Sequence, residues 1–506
     1  MSGTKVVKNA LWNVINGMSG ALVAVIVPPF LTNFMPPEAY GSWALALQIG
    51  TYMSLFGFGV QIAVGRFVAH CEARNDYVQR DGIVATSFWV LTASATVGFA
   101  AICWISANIN KIIPDISPSL LDQTRISIVL VALALSANLP ASVFAAVFIG
   151  RQESRTAATI QGVGRLSLAL GLIIVGRFGN LALLGLVYVC VTAGTVFALW
   201  FAWCTRTHSP TINIRCASRH HVAGLVNFCL SLTIWNLSML LVSGLDLVII
   251  GRYDYAMTAY YAVSVSLTSL VVGTLSSLSN ALIPGAARIA DEDRSTLLTG
   301  LLFRGSRLIS GAAIFIAAPL IFAPEVILGW WLGDGYAERA SFILSILALA
   351  AVLRNTMLPY VTVAIGIGLQ RKMLVTPLIE ASVTISVSIW LVQLMGAAGV
   401  AVAKIVGGVV GVLLMLTQYV LREVLVDVGR MQYMRQCVLR GMLALGAITL
   451  GANAFQYLEM NAPGFVKLAV VVAVSATSIW WLGLNTPDRQ YAYSLLRQQL
   501  RPRDRP

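Results

Sequence analysis

Apolar residues run in fourteen stretches of about helix-spanning length, separated by short polar connections. A helix needs roughly 20 apolar residues to cross a ~30 Å hydrocarbon core, and unbroken runs of that length are too long for the strands of a membrane barrel. The pattern therefore predicts an all-α, polytopic membrane protein with about 14 transmembrane helices. The first seven spans are expected near Asn9–Thr32, Tyr40–Val64, Gly82–Ala107, Ile126–Ile149, Thr156–Gly176, Leu181–Cys204 and Leu225–Ile250. Seven more are expected near Ala262–Ile283, Leu308–Ile327, Ala340–Ile365, Leu374–Leu394, Ala397–Leu421, Val438–Tyr457 and Phe465–Leu484.

Composition agrees: 58% of the 506 residues are hydrophobic and only 11% charged, which leaves too little polar surface for a water-soluble domain. The formal net charge of +13 invites a nucleic-acid reading until its distribution is counted. With the N-terminus inside, 25 of the 34 Lys and Arg residues fall at the two ends and on the inner connections. Six fall on outer connections (Lys111, Arg125, Arg177, Arg252, Arg339, Lys467), and Arg165, Arg354 and Lys404 lie within spans. This is the positive-inside asymmetry, and it predicts a membrane protein with both termini cytoplasmic and no nucleic-acid partner. Arg489, Arg497, Arg501, Arg503 and Arg505 make the tail a basic cytoplasmic end that can touch lipid headgroups.

The first span follows Lys5 and Lys8 as a signal peptide would, but it is too long and ends at Pro28-Pro29 rather than at a small-residue cleavage site, so it is read as helix 1. Seven cysteines, none in a C-x-x-C pair, give neither a disulfide framework nor a zinc pattern. An internal echo organises the chain. Ala39-Tyr40-Gly41 opens span 2 and Arg66 closes it; some 220 residues later Ala259-Tyr260-Tyr261 opens span 8 and Arg288 closes it. A six-helix offset keeps the same orientation, as in parallel transporter repeats. The expected units are an N-lobe, residues 1–205 (helices 1–6), a cytoplasmic connection, 206–224, and a C-lobe, 225–421 (helices 7–12). An extra helix pair, 422–485, and a basic tail, 486–506, complete the chain. The lobes are expected to be pseudo-symmetric, with the site between them.

Helix 1 places Asn9, Asn13, Asn16, Gly17 and Gly20 at helical spacing, either to line a cavity or to let helices pack and hydrogen-bond in lipid. Prolines within or ending spans (Pro28, Pro29, Pro140, Pro284, Pro319, Pro359, Pro377) free carbonyls and permit bends.

An ionised side chain in mid-bilayer costs at least ~2.5 kcal/mol, so each needs a wet cavity, a partner or a role. Arg354 sits deepest, near the middle of span 10, with a cavity or an ion pair with Glu380 as its two readings. Lys404 either lines the cavity or, being about two turns from the outer end of its span, snorkels to the interface, and Arg165 is a cavity candidate of similar standing. Asp246 can answer Arg252 or face the cavity as a proton or cation site. Arg66 and Arg288 anchor topology or, as a symmetric pair, flank an inward-facing mouth. The excess of bases points to an anionic substrate, and guanidinium groups suit a diphosphate through bidentate, charge-assisted hydrogen bonds.

No G-x-x-x-x-G-K-[ST], H-E-x-x-H or G-x-S-x-G motif occurs, and His70, His208, His220 and His221 all lie on predicted cytoplasmic connections. No cofactor and no catalytic residue is indicated. Three segments carry a resemblance: NALWNVINGMSG in helix 1, PPEAYGSWALA with GFGVQIAVGRFVA around helix 2, and LDLVIIGRYDYAMTAYYAVSVSL opening the second half. Along nearly its whole length the chain resembles the polysaccharide or O-antigen (Wzx-type) lipid-linked oligosaccharide flippases of the multidrug/oligosaccharidyl-lipid/polysaccharide exporter superfamily. The resemblance implies two lobes around a cationic cavity, alternating access, a polyprenyl-diphosphate-linked saccharide as substrate, and polysaccharide polymerase or other assembly proteins as partners. Coupling to H+ or Na+ stays open. A multidrug antiporter of the same superfamily is the nearest alternative, although helix 1 carries no acid. A membrane-embedded polymerase or ligase is the alternative from another class; its catalytic outer loop has no counterpart in the short connection from Ser106 to Arg125.

Overall fold

The computed structural model describes residues 20, 23–206, 212, 233–234, 237–242, 244–280, 282, 294–367, 369–418, 430–458 and 463–490. It is an all-α membrane fold. Among the described residues, twelve helical segments are long and apolar enough to cross a bilayer, and they coincide with twelve of the fourteen expected spans. The remaining two expected spans, 1 and 7, fall partly outside the described residues; the helix described within span 1 is α1, Val23–Phe34.

Two compact units are present, one formed by Met1–Leu270 with Pro377–Ala403, the other by Val271–Thr376 with Lys404–Pro506. In the first, span 2 is α2 (Pro37–Thr51) and α3 (Val60–Arg74), followed by α4 (Tyr77–Ala107), α5 (Pro118–Gly150), α6 (Ser154–Gly176) and α7 (Leu181–Cys204). Next come α8 (Asp246–Tyr253) and the start of α9 (Thr258–Asn280). α5 is the pillar of this unit and packs against α2, α3, α4, α6 and α7. Its small residues explain this: Ala132, Ala134, Ala141, Ala145, Ala146 and Gly150 are buried. A Cβ on Gly150 would stand 2.7 Å from the Gly65 carbonyl oxygen, so the glycine lets α3 and α5 come into backbone contact, the usual way helices associate where lipid removes the hydrophobic drive.

Span 2 departs from the expected continuous helix. Tyr52–Gly57 is a 3-10 turn, and Phe58 (φ 47°) and Gly59 (φ 66°) are both left-handed before α3 begins. Freed carbonyls in a membrane must find donors, and they do: Ser94 Oγ donates to Phe56 O (2.8 Å) and Thr233 Oγ1 to Phe58 O (3.2 Å). α3 also continues two turns past Arg66, to a left-handed cap at Asn75.

The second unit is built on α10 (Arg294–Phe322). Its apolar window, Leu298–Phe322, is 61% buried against 17% for that of α6, which marks α10 as central and α6 as lipid-facing. Around α10 pack α12 (Asp334–Asn355), which follows the short α11 (Pro324–Leu332), then α13 (Leu358–Gly366), α16 (Leu439–Leu458) and α17 (Gly464–Ser478). Expected span 10 is likewise interrupted: α12 ends at Asn355 and Pro359 opens α13 rather than kinking one long helix, since proline suits the first turn, where its missing N–H has no partner to lose. α14 (Val375–Met395) and α15 (Ala397–Gln418) complete the described spans.

Candidate functional site

The first unit encloses a cavity of about 660 Å³. Six elements build it: α1 (Val27, Leu31), α2 (Trp43, Gln48, Thr51), α5 (Leu135, Asn138), α6 (Leu168, Leu172), α7 (Tyr188) and the α8–α9 region (Leu247, Ala262, Ser266). The lining joins helices of the predicted N-lobe to the first helices of the predicted C-lobe. Among its described residues there is no Asp, Glu, Lys, Arg or His.

Arg165 of α6 stands at the edge. Its guanidinium lies 3.9 Å from where a Cβ on Gly20 would be, and its charge acts on Tyr188; both Gly20 and Tyr188 line the cavity. This half-buried arginine is thus the expected basic residue that the structure brings to the cavity of the first unit.

Beside the cavity, Gly244 O accepts from Tyr52 OH (2.6 Å) and Gln48 Nε2 (2.8 Å). Asp246 is buried in the first turn of α8, where a carboxylate suits the helix dipole, and it accepts from Tyr261 OH (3.2 Å). Arg252, its suggested partner, donates Nη1 to the carbonyls of Lys111 and Ile112. At the same end of the unit, Tyr255 OH shares a 2.6 Å hydrogen bond with Ser42 Oγ, and Ala397 N donates to Asp254 Oδ2 (2.9 Å). Glu380 is buried on α14 within this unit. Arg66 is exposed on α3.

In the second unit, Arg354 occupies the last turn of α12, the negative end of a helix, which favours a guanidinium. A Cβ on Gly408 of α15 would stand 3.5 Å from Arg354 Cβ, and Lys404 lies one turn before Gly408 on the same face. The two expected bases, both half-buried, are therefore neighbours on adjoining helices. Asn13, Asn16 and Arg288 lie outside the described residues. Missed in the sequence were Gln48, Thr51, Ser54, Asn138 and Tyr188; the recurrence of the first three at every third position was the available signal.

Residues 6–290, more than half of the chain, match the family described as polysaccharide biosynthesis protein. The chain belongs to that family. A comparison with curated proteins yields no match. Among solved structures, this polysaccharide biosynthesis protein is similar to the lipid II flippase MurJ in an inward closed conformation, with TM-score 0.71 and 12% identity over 97% of this chain and 100% of that one. It is also similar to an inward-facing multidrug resistance MATE family transporter of the MOP superfamily (TM-score 0.60, 14% identity, 80% and 99% of the two chains). A third similar structure is that of the MATE multidrug transporter DinF-BH (TM-score 0.61, 14% identity, 84% and 97%). At these identities the likeness is one of fold alone: a multi-pass, all-α membrane architecture.

Proposed function

We propose that this protein flips a polyprenyl-diphosphate-linked oligosaccharide from the cytoplasmic to the outer leaflet of the bacterial inner membrane, for cell-surface polysaccharide biosynthesis. The observation that carries the reading is the polysaccharide biosynthesis family match in a chain that folds as a membrane carrier. It is a transporter and not an enzyme. The two lobes, 1–205 and 225–421, rock between inward- and outward-facing forms with both termini cytoplasmic, and the lipid tail stays in the bilayer while the head crosses. Arg165, Arg354 and Lys404 supply the positive potential an anionic head requires, with Asn13 and Asn16 beside them and Arg66 and Arg288 at the mouth. An inside-negative potential favours outward movement of an anion by ~2.3 kcal/mol per charge per 100 mV, so export needs no ATP. Asp246 and Glu380 are the groups available for H+ or Na+ coupling. A polysaccharide polymerase on the outer leaflet receives the product.

A multidrug antiporter, the other reading for this fold, exports cations and needs exposed carboxylates where the substrate binds; the described lining of the first unit's cavity has none. Deleting the gene and assaying lipid-linked glycan by leaflet decides between them. Accumulation on the cytoplasmic leaflet is expected, and normal appearance on the outer leaflet overturns the proposal. Arg354→Ala is expected to abolish flipping while the protein still inserts in the membrane; a normal flipping rate in that variant removes Arg354 from the anion site.

A further inference from the structure

The cavity of the first unit carries a polar face that its surroundings do not use up. Gln48, Thr51 and Ser54 recur every third residue where α2 gives way to the 3-10 turn, and residues three apart eclipse one another in that geometry. Asn138 of α5 also lines the cavity. Thr51, Ser54 and Asn138 are exposed, although they sit within segments that cross the bilayer. Ser54 and Asn138 have no hydrogen-bond partner among the described residues, while Thr51 Oγ1 donates to Gln48 O (2.6 Å) and offers the cavity an acceptor. An amide or hydroxyl at that depth is unfavourable against hydrocarbon, so these groups meet water or a ligand.

The remaining wall, from Trp43, Leu47, Leu135, Leu139, Leu168 and Val265, is apolar, and the lining is uncharged among the described residues. A diphosphate would lose its hydration there without gaining a cation, and a cationic drug would find no carboxylate. A neutral pyranose fits both features: its hydroxyl and acetamido groups are donors and acceptors, and its C–H faces are apolar. The volume lies in the usual range of small-molecule pockets.

We propose that this cavity is a saccharide subsite, in which Thr51, Ser54 and Asn138 hydrogen-bond a neutral sugar while Arg165 holds the adjoining phosphate at the edge. This rests on the flippase reading and deepens it: the sugar, and not the diphosphate, occupies the interior of the first unit. Specificity for the glycan then resides in α2 and α5.

The full chain in nanodiscs is titrated with two probes, bare polyprenyl diphosphate and the same lipid bearing one N-acetylhexosamine. The wild type is expected to bind the glycosylated lipid at least about tenfold more tightly. Ser54→Ala combined with Asn138→Leu is expected to reduce that preference below about threefold with bare-lipid affinity unchanged, whereas Arg165→Gln weakens both lipids by the same factor. A double variant that keeps the full preference overturns the subsite and leaves the flippase reading standing. Should the double variant fail to fold, Ser54→Ala and Asn138→Ser singly are each expected to lower the preference at least about threefold, and retention in both overturns the subsite. A wild type that binds neither lipid, or that binds a cationic rhodamine dye in their place, overturns both.

Discussion

The chain's closest buried ion pair among the described residues is also the one hardest to see in sequence. Arg307 of α10 donates Nε (2.5 Å) and Nη2 (3.2 Å) to the two carboxylate oxygens of Asp488, just beyond the last span, and the side chains are only 7% and 1% exposed. Asn485 N adds a 3.4 Å contact to Asp488 Oδ2. The pair staples the chain after α17 to the most buried helix of the second unit. Removing one partner strands a buried charge, so Asp488→Ala is expected to cost about 3–5 kcal/mol, read as a lower melting temperature in detergent. Arg307→Met with Asp488→Leu is expected to recover most of it, and a wild-type melting point for Asp488→Ala would show the pair to be idle. Each charge was visible in the sequence, but a pairing across 181 residues was not. Arg165 could be picked out because a charge in an apolar run is rare; Asn138 could not, because neutral polar residues also serve ordinary helix packing.

Elements were legible in proportion to how sharply their ends are marked. Helix α7 spans Leu181–Cys204, where its apolar run placed it, and the structure shows its start fixed by Asn180, which accepts from Ala182 N and Leu183 N. Span 2 was read as continuous because hydrophobicity is the same whether an apolar residue sits in an α-helix, a 3-10 turn or a left-handed step. Only Gly57-Phe58-Gly59 marked the break. Its two halves differ in job: α2 carries the polar face of the cavity, and α3 packs on α5 through Gly65. A left-handed residue with a Cβ costs about 1–2 kcal/mol, so Gly59→Ala is expected to lower the melting temperature and slow flipping. Gly57→Ala is the control, since Gly57 lies in the right-handed turn and its added Cβ would meet only the tip of the Leu139 side chain, at 3.3 Å. Equal effects from the two substitutions would show that the break owes nothing to the conformation of Gly59.

At the scale of the molecule, orientation in the membrane follows from where charge is held at the two ends of the first unit. At the end where α3 meets α4, Glu72 pairs with Arg80 (2.8 Å) and Arg151 (3.2 Å), Arg80 also pairs with Asp81 (2.8 Å), and Arg206 approaches Glu153 (3.5 Å). The ends of four helices, α3, α4, α5 and α7, thus carry three arginines, Arg80, Arg151 and Arg206, paired with three acids, Glu72, Asp81 and Glu153. The opposite end carries Arg125, Arg177 and Arg252, the last held on backbone carbonyls. By sequence, the α3–α4 end is on the side that carries 25 of the 34 Lys and Arg, and an end rich in arginine resists translocation, so it is expected in the cytoplasm and the end bearing Arg252 outside. In a background with all seven cysteines replaced by alanine, single cysteines report this directly. Ser119→Cys, exposed at the start of α5, is expected to react with a membrane-impermeant maleimide in intact cells. Ala73→Cys, exposed at the end of α3, is expected to react only after permeabilisation. The reverse pattern would invert the chain in the bilayer and overturn the cytoplasmic placement of the arginine-rich end.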